Sequence, residues 1–563
     1  MSANEAQGLI YHSVHPVLRL RQWLHMESED AWVVVIYTLA TGLISLVVPI
    51  AVQAVVNTIA FGTLLQPLAV LTIMVFVALL AVAWLNGYRQ YVVEMIQRRI
   101  FVRLAGDVAD KLVRVEPKAF DRYHGPELVN RFLEVVTVQK AGATLLLDGL
   151  TVAVQTLIGM ILLAVYHPFL LAFDVVLAIS LFVVLVPMGS GAIPTAVKES
   201  KAKYDLLAWL EELARHQVAV KSRAGLALAM ARTNDLVKDY LKYRTMHFRV
   251  LIRQIVGSFV LQALASAALL GVGGWLVIDR QMTLGQLVAA ELVVALVTSS
   301  ITKFGKHLEL FYDLMASLDK LGYLTDLPKE REDGEALPRQ LRPASIRLAA
   351  ATLTASNSFP LLRDVTLEAE AGARIGLVGS TGSGKSTLLD VLYALRLPSR
   401  GLVEIDGRDY RELRLDDLRD QIALVREPQI FEGTVLDNLR LGREELSTER
   451  AREALEEVGL LEHVLRLAGG IHTRLSTGGA PLSAGQAIQL ELARALAHEP
   501  RVLVLDECLD WLEDLPERSR LLDLVFGRRE RWTVIVASHN EEILKRCDRV
   551  YEIREERLME VRR

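Results

Sequence analysis

The sequence predicts a multi-domain membrane protein, a six-helix all-α transmembrane domain followed by an α/β domain built on a phosphate-binding loop, and three observations carry this. The chain has 563 residues, 52% of them hydrophobic, and a mean hydropathy of +0.30. That is too long for one domain and too apolar for an ordinary soluble protein. Six apolar stretches, each close to the roughly 20 residues that cross a bilayer, lie before residue 305. Val378–Leu388 reads VGSTGSGKSTL, which is G-x-x-x-x-G-K-[ST] with no mismatch.

Composition narrows the partners. A net charge of −4 with an isoelectric point near 6.4 gives no reason to expect nucleic acid. The two cysteines, Cys508 and Cys547, imply no disulfide framework and suit a reducing cytosol. Residues 1–30 hold Arg19, Arg21, Glu27, Glu29 and Asp30 without an isolated apolar core. They read as a cytoplasmic segment, and a cleaved signal peptide is not expected.

The membrane domain is expected over 31–325, with spans at 31–55, 66–86, 143–166, 168–190, 255–278 and 284–304. Ten Lys/Arg fall between Arg89 and Lys140 and twelve between Lys198 and Arg253, whereas 56–66 and 166–168 have none. By the positive-inside rule both termini are cytoplasmic. The outer connectors are too short to fold on their own. Both long cytoplasmic connectors have helical patterning, and 90–115 would carry its helix about 39 Å beyond the lipid. Turn-like breaks at 120–130 and 214–225 mark candidate contacts with the C-terminal half. Within the spans, Asp174 and Glu291 are costly ionisable groups. Each lies about 9 to 10 Å from the outer end of its span. They are speculative substrate-cavity residues, with snorkelling to the surface the alternative.

Pro, Gly and charge in DLPKEREDGEALPRQLRP place a linker at 326–344, and from Ser345 to the end short β-type runs alternate with helical ones. In the phosphate loop, Gly379, Gly382 and Gly384 let the backbone turn successive N–H groups towards one phosphate chain, with Ser380, Thr381 and Ser383 between them. Lys385 adds a point charge, Ser386 can ligate Mg²⁺, and Thr387 opens the following helix, whose N-terminus favours anions. RVLVLDE (501–507) is an apolar strand ending in two carboxylates. Asp506 is expected to hold the metal and Glu507 to act as general base. His539, after the apolar run TVIVAS, is placed to reach a γ-phosphate.

Between these motifs lies PLSAGQAIQLELARAL, and LSAGQ at 482–486 looks like the LSGGQ signature of ABC transporter ATPases. The chain resembles an exporter-type ABC half-transporter (type IV fold) over essentially its whole length. MTLGQLVAAELVV (282–294), opening the sixth span, is similar to that family too. The resemblance implies ATP and Mg²⁺ as ligands, with the phosphate loop at Gly379–Thr387, the metal-holding acid Asp506, the base Glu507 and a switch histidine His539. It also implies a dimer with a second half-transporter, in which Leu482, Ser483, Ala484, Gly485 and Gln486 of one subunit close on the ATP of the other. Because this chain keeps every one of these residues, a homodimer is favoured over a heterodimer.

Four positions depart from the family pattern. Ala355 stands where an adenine-stacking aromatic is usual, with Phe359 four residues on. Arg426 occupies the degenerate coupling-loop position, where a glutamine is usual, with Gln429 nearby. CLDWLE (508–513) replaces ATSALD, and Thr477 takes the place of a glutamate before the signature. The expected function is ATP-driven export of a hydrophobic, lipid-like or peptide substrate by alternating access. The alternatives are a nucleotide-gated regulatory subunit of a heterodimer and an importer on the exporter scaffold. Leader-peptide cleavage is not expected.

Overall fold

The computed structural model describes residues 15–61, 65–120, 125–354, 360–510, 518–527 and 529–561. The chain divides into two compact units, Met1–Val115 with Tyr123–Pro328, and Glu116–Arg122 with Lys329–Arg563.

The first unit is helical. Among the described residues, five helical stretches are long and apolar enough to cross a membrane, and the shorter apolar run Leu284–Val297 stands at the sixth expected span. Several helices run far past the length a bilayer needs: Leu65–Val113 has 49 residues, Arg223–Ile278 has 56 and Leu284–Thr325 has 42. The helix expected over 90–115 is thus the second half of one continuous rod of about 74 Å. Glu94–Arg98 and Asp110–Arg114 pairs, four residues apart, line its polar continuation.

Within the lipid-facing region, apolar helices gain little from burial against one another, and close contact between backbones holds them together instead. A Cβ on Gly42 would come within 2.8 Å of Ile158 Cδ1, and one on Gly159 within 2.9 Å of Val293 Cγ1. The buried Arg89 guanidinium donates to Thr38 Oγ1 at 3.0 Å and Thr151 Oγ1 at 2.8 Å, tying three helices. At the start of the unit, Pro16–Met26 is a short helix whose buried Arg19 forms a two-pronged pair with Asp326 (3.1 and 2.6 Å).

The fourth expected span, 168–190, is not helical throughout. Its helix ends at Leu185 and a new one begins at Ala192. Pro187, Gly189 and Gly191 lie in the gap. The carbonyls released there are taken up by the neighbouring helix: Gln254 Nε2 donates to Val184 O and Leu185 O, both at 3.2 Å, and Arg253 Nε donates to Met188 O at 2.7 Å. Tyr312 Oη in turn donates to Gln254 Oε1. Non-helical backbone near lipid is tolerated only when its polar groups are satisfied in this way.

The second unit is α/β. A six-stranded sheet runs in the order Arg557–Glu560, Arg549–Arg554, Arg374–Val378, Thr533–Ala537, Val502–Asp506, Ile422–Val425. All neighbours are parallel except the outermost pair at the Arg557–Glu560 edge. Val502–Leu505 and Thr533–Ala537 are buried throughout, the unbroken apolar pattern of strands covered on both faces. A four-stranded antiparallel sheet, Pro360–Ala369, Ile346–Thr354, Arg400–Ile405 and Arg408–Asp409, contributes to the same core as the central strands.

The residues that read as a linker are built into this unit from Lys329 on. Glu330 makes a two-pronged pair with Arg419 (2.7 Å each), and Arg331 Nη2 donates to Leu413 O at 2.6 Å. Gln421 Nε2 donates to Leu337 O at 2.8 Å. Arg501, only 1% exposed, donates to Arg342 O and Gln421 Oε1 and pairs with Asp406.

Candidate functional site

In a parallel sheet the loops at the carboxyl ends of the strands gather on one edge. Here the register sets Asp506 beside Ala537, and Val378 ends the strand on the other side of Thr533–Ala537. The phosphate loop, the two acids and His539 therefore leave the sheet together. Gly382 (φ +81°) and Gly384 (φ +106°) adopt left-handed backbone, and Gly384 caps the helix Lys385–Leu392. That conformation turns the loop's amides towards the helix N-terminus, where the partial positive charge favours a phosphate.

Lys385 is 5% exposed and its Nζ donates to Gly379 O at 2.8 Å. The same ammonium lies 3.2 Å from Glu507 Oε1 and 3.3 Å from His539 Nε2, and the latter is 3.5 Å from Glu507 Oε1. Three groups expected from separate motifs thus meet at one point. Glu507 itself has φ +53°, a left-handed backbone rare for a residue with a β-carbon, and its N–H donates to Ala537 O at 3.0 Å.

Asp506 sits behind this point and accepts a hydrogen bond from the Ser386 hydroxyl. Burial pushes its carboxyl up from the ordinary range, opposed by that bond and by the Arg426 charge. A hard cation that keeps few protein ligands and takes phosphate oxygens suits such a carboxylate–hydroxyl pair, so the residues fit Mg²⁺.

The signature residues open a helix. Ser483 and Gln486 form a reciprocal capping box, with Ser483 N–H donating to Gln486 Oε1 at 2.9 Å, and the helix runs from Ala484 to Ala497. Leu482 is buried, Ser483 and Ala484 are exposed, and a Cβ on Gly485 would meet nothing within 4 Å. This helix end presents small residues and free space.

Other expected positions stand apart. Arg426 pairs with Asp390, on the helix after the phosphate loop, at 2.7 Å. The nearby Gln429 is held through its backbone, its N–H donating to Glu491 and its carbonyl accepting from Arg494. Ala355, Phe359 and the stretch from Trp511 to Glu513 lie outside the described residues. Asp174, expected to line a cavity or snorkel to the surface, is 3% exposed and neither of its carboxylate oxygens has a hydrogen-bond partner. Glu291 is half-buried with one buried unpartnered oxygen. Two site residues escaped sequence reasoning, Asp390 and Asp510. Asp510 Oδ1 accepts from Ser538 Oγ at 2.5 Å. The sign available for it was an acid in place of the small residue usual after the base.

Residues 362–510 match the family described as ABC transporter, and 31–301 match the ABC transporter transmembrane region. The chain belongs to the ABC transporter family. It has the exporter-type half-transporter arrangement, one membrane region fused ahead of one ATPase domain. A cyclolysin secretion/processing ATP-binding protein, CyaB, of Bordetella pertussis is 26% identical over 528 residues, covering 92% of this chain and 73% of that protein. An ATP-dependent lipid A-core flippase of Methylococcus capsulatus is 27% identical, covering 84% and 79%. In fold, the chain is similar to a bacterial Atm1-family ABC exporter with ATP bound, with a TM-score of 0.79 over 95% of this chain and 94% of that one at 19% identity. This ABC half-transporter is an integral membrane protein that binds ATP and couples its hydrolysis to transport.

Proposed function

We propose that two copies of this chain form a homodimeric exporter in a bacterial inner membrane, with the ATPase domains and both termini in the cytoplasm. Two ATP molecules are held between the ATPase domains, each by Gly379–Thr387 of one copy and by Ser483 and Gly485 of the other. Ser386 and Asp506 hold Mg²⁺, Glu507 takes the proton from the attacking water and His539 contacts the γ-phosphate. The observation that carries this reading is the meeting of Lys385, Glu507 and His539 within 3.5 Å of one another in a chain that also keeps an exposed signature. A single type of subunit then supplies both halves of a competent site.

The cargo proposed is apolar or amphipathic, lipid-like or peptide, in keeping with relatives named for cyclolysin secretion and lipid A-core flipping. Glu291 is proposed to face its path and Asp174, closed off at 3% exposure here, to join it when the helices part, since an unpartnered carboxylate at membrane depth is costly without a function. Glu507→Gln in the full-length chain tests the site: ATP binding should persist while steady-state hydrolysis falls below about a hundredth, the usual size of a general-base contribution. A rate above about a tenth of wild type would remove Glu507 from that role. A detergent-solubilised particle of twice the chain mass supports the homodimer. A monomer without ATPase, rescued by a second half-transporter, overturns it.

A further inference from the structure

The imidazole of His539 is 52% exposed and touches Lys385 and Glu507. Lys385 is expected to turn to the phosphates when a nucleotide enters, so contact with it cannot fix the ring during turnover. The ring's position then depends on its backbone. That backbone is anchored from the neighbouring strand end: Asp510 Oδ2 accepts from His539 N–H at 3.2 Å, and Oδ1 accepts from Ser538 Oγ at 2.5 Å. Ser538 is fully buried and its Oγ also accepts from Asn540 N–H at 3.0 Å. On the other side, Asp510 N–H donates to Glu507 O at 3.2 Å. One carboxylate therefore clamps the loop carrying the histidine to the turn carrying the base, through a short charge-assisted bond from Ser538 and a longer one from the His539 amide.

We infer that Asp510 is a positioning residue for ATP hydrolysis, holding His539 in register with Glu507. The small residue usual at this place in the family could offer one hydroxyl. The carboxylate offers two acceptors, enough to hold both a side chain and a backbone amide. This rests on the reading of His539 given above, and it goes beyond that reading by naming what sets the histidine's place. The phosphate loop, signature and Asp506 lie outside the clamp, so ATP affinity should be untouched.

The test is steady-state ATP hydrolysis by the full-length chain carrying Asp510→Ala, Asp510→Asn, His539→Ala or the Asp510→Ala/His539→Ala pair. Asp510→Ala should lower kcat about tenfold with KM for ATP within about twofold, the split expected when a transition-state contact alone is lost. Asp510→Asn, which keeps an acceptor for the amide, should restore some of the rate. The double variant should be no slower than His539→Ala, because both changes remove one function. Should Asp510→Ala not accumulate, Ser538→Ala should show a smaller loss confined to kcat. An inactive His539→Ala beside a fully active Asp510→Ala (or Ser538→Ala), or a double variant slowed by the product of the two losses, overturns the inference alone. A fully active His539→Ala overturns the histidine's role and this inference with it.

Discussion

Arg426 Nη2 stands 2.7 Å from Asp390 Oδ1, so the position expected to serve as the coupling loop carries a fixed cation paired with the helix after the glycine-rich loop. Its charge also acts on Asp506, favouring the ionised carboxylate. A cation near a proposed metal site opposes divalent binding. Arg426→Gln removes it and leaves Asp390 with Arg396 as its remaining partner at 3.4 Å, and both effects favour Mg²⁺. The half-saturating Mg²⁺ concentration for ATPase should fall about fivefold, which at an effective dielectric near 20 is a modest electrostatic change of roughly 1 kcal/mol. A Mg²⁺ titration of both proteins checks it, and an unchanged or raised midpoint would count against the electrostatic account.

Lys320, 3% exposed, lies over the rings of Tyr204 and Tyr323. Burial pushes its ammonium down to about 8. Between about 8 and its ordinary value of 10.5 the folded chain binds fewer protons than the unfolded one, so stability rises with pH through that window and is lower below it. Relative to Lys320→Met, the thermal midpoint of the wild-type protein should climb between pH 8 and pH 10. Parallel curves for the two proteins would mean that the amine titrates normally.

Cys508 follows the proposed base directly and is 2% exposed. Burial pushes its thiol up to about 12, so hardly any thiolate exists at pH 8. In the native protein a maleimide should label the half-buried Cys547 first and leave Cys508 unmodified until denaturant is added. Mass spectrometry of the labelled peptides decides it. Rapid native labelling of Cys508 would show that the turn after Glu507 opens.

Gly159 faces Val293 and Val297, which are 1% and 2% exposed. A leucine there must push the neighbouring helices apart, and overpacking of this kind costs about 1 to 3 kcal/mol. Gly159→Leu should lower the detergent-solubilised melting temperature, and Val293→Ala in the same chain should recover some of the loss. Failure of the pair to recover anything would mean that the contact does not limit stability.

Much of this was legible in the sequence because the signals are local. An unbroken apolar run fixes a span, and the glycine pattern of 379–384 fixes a loop whatever surrounds it. The strands ending in Asp506 and Ala537 could likewise be read one by one, so the residues converging on Lys385 were all expected. The helix break after Leu185 was missed, although Pro187, Gly189 and Gly191 announced it, because hydropathy counts apolar side chains and ignores where backbone bonds go. The partners Arg426–Asp390 and Asp510–Ser538 are 36 and 28 residues apart in sequence, and no periodicity links such distances. The strap from Lys329 to Ala344 read as a linker because its Pro, Gly and charges mark irregular backbone equally well whether it is free or bound.

That strap sets where the chain can be cut. A recombinant ATPase fragment beginning at Ser345 would lose the Arg342 carbonyl that Arg501 donates to, the Leu337 carbonyl held by Gln421, and the Glu330 partner of Arg419. Arg501 would keep Asp406 and Gln421, and Arg419 the Ala394 carbonyl, but each buried cation would lose part of its acceptor set, and polar groups left unmatched in the interior are costly. The fragment should be insoluble or melt early, while one beginning at Lys329 should fold. Protease digestion of the whole chain should accordingly leave the C-terminal piece with its first residues still attached.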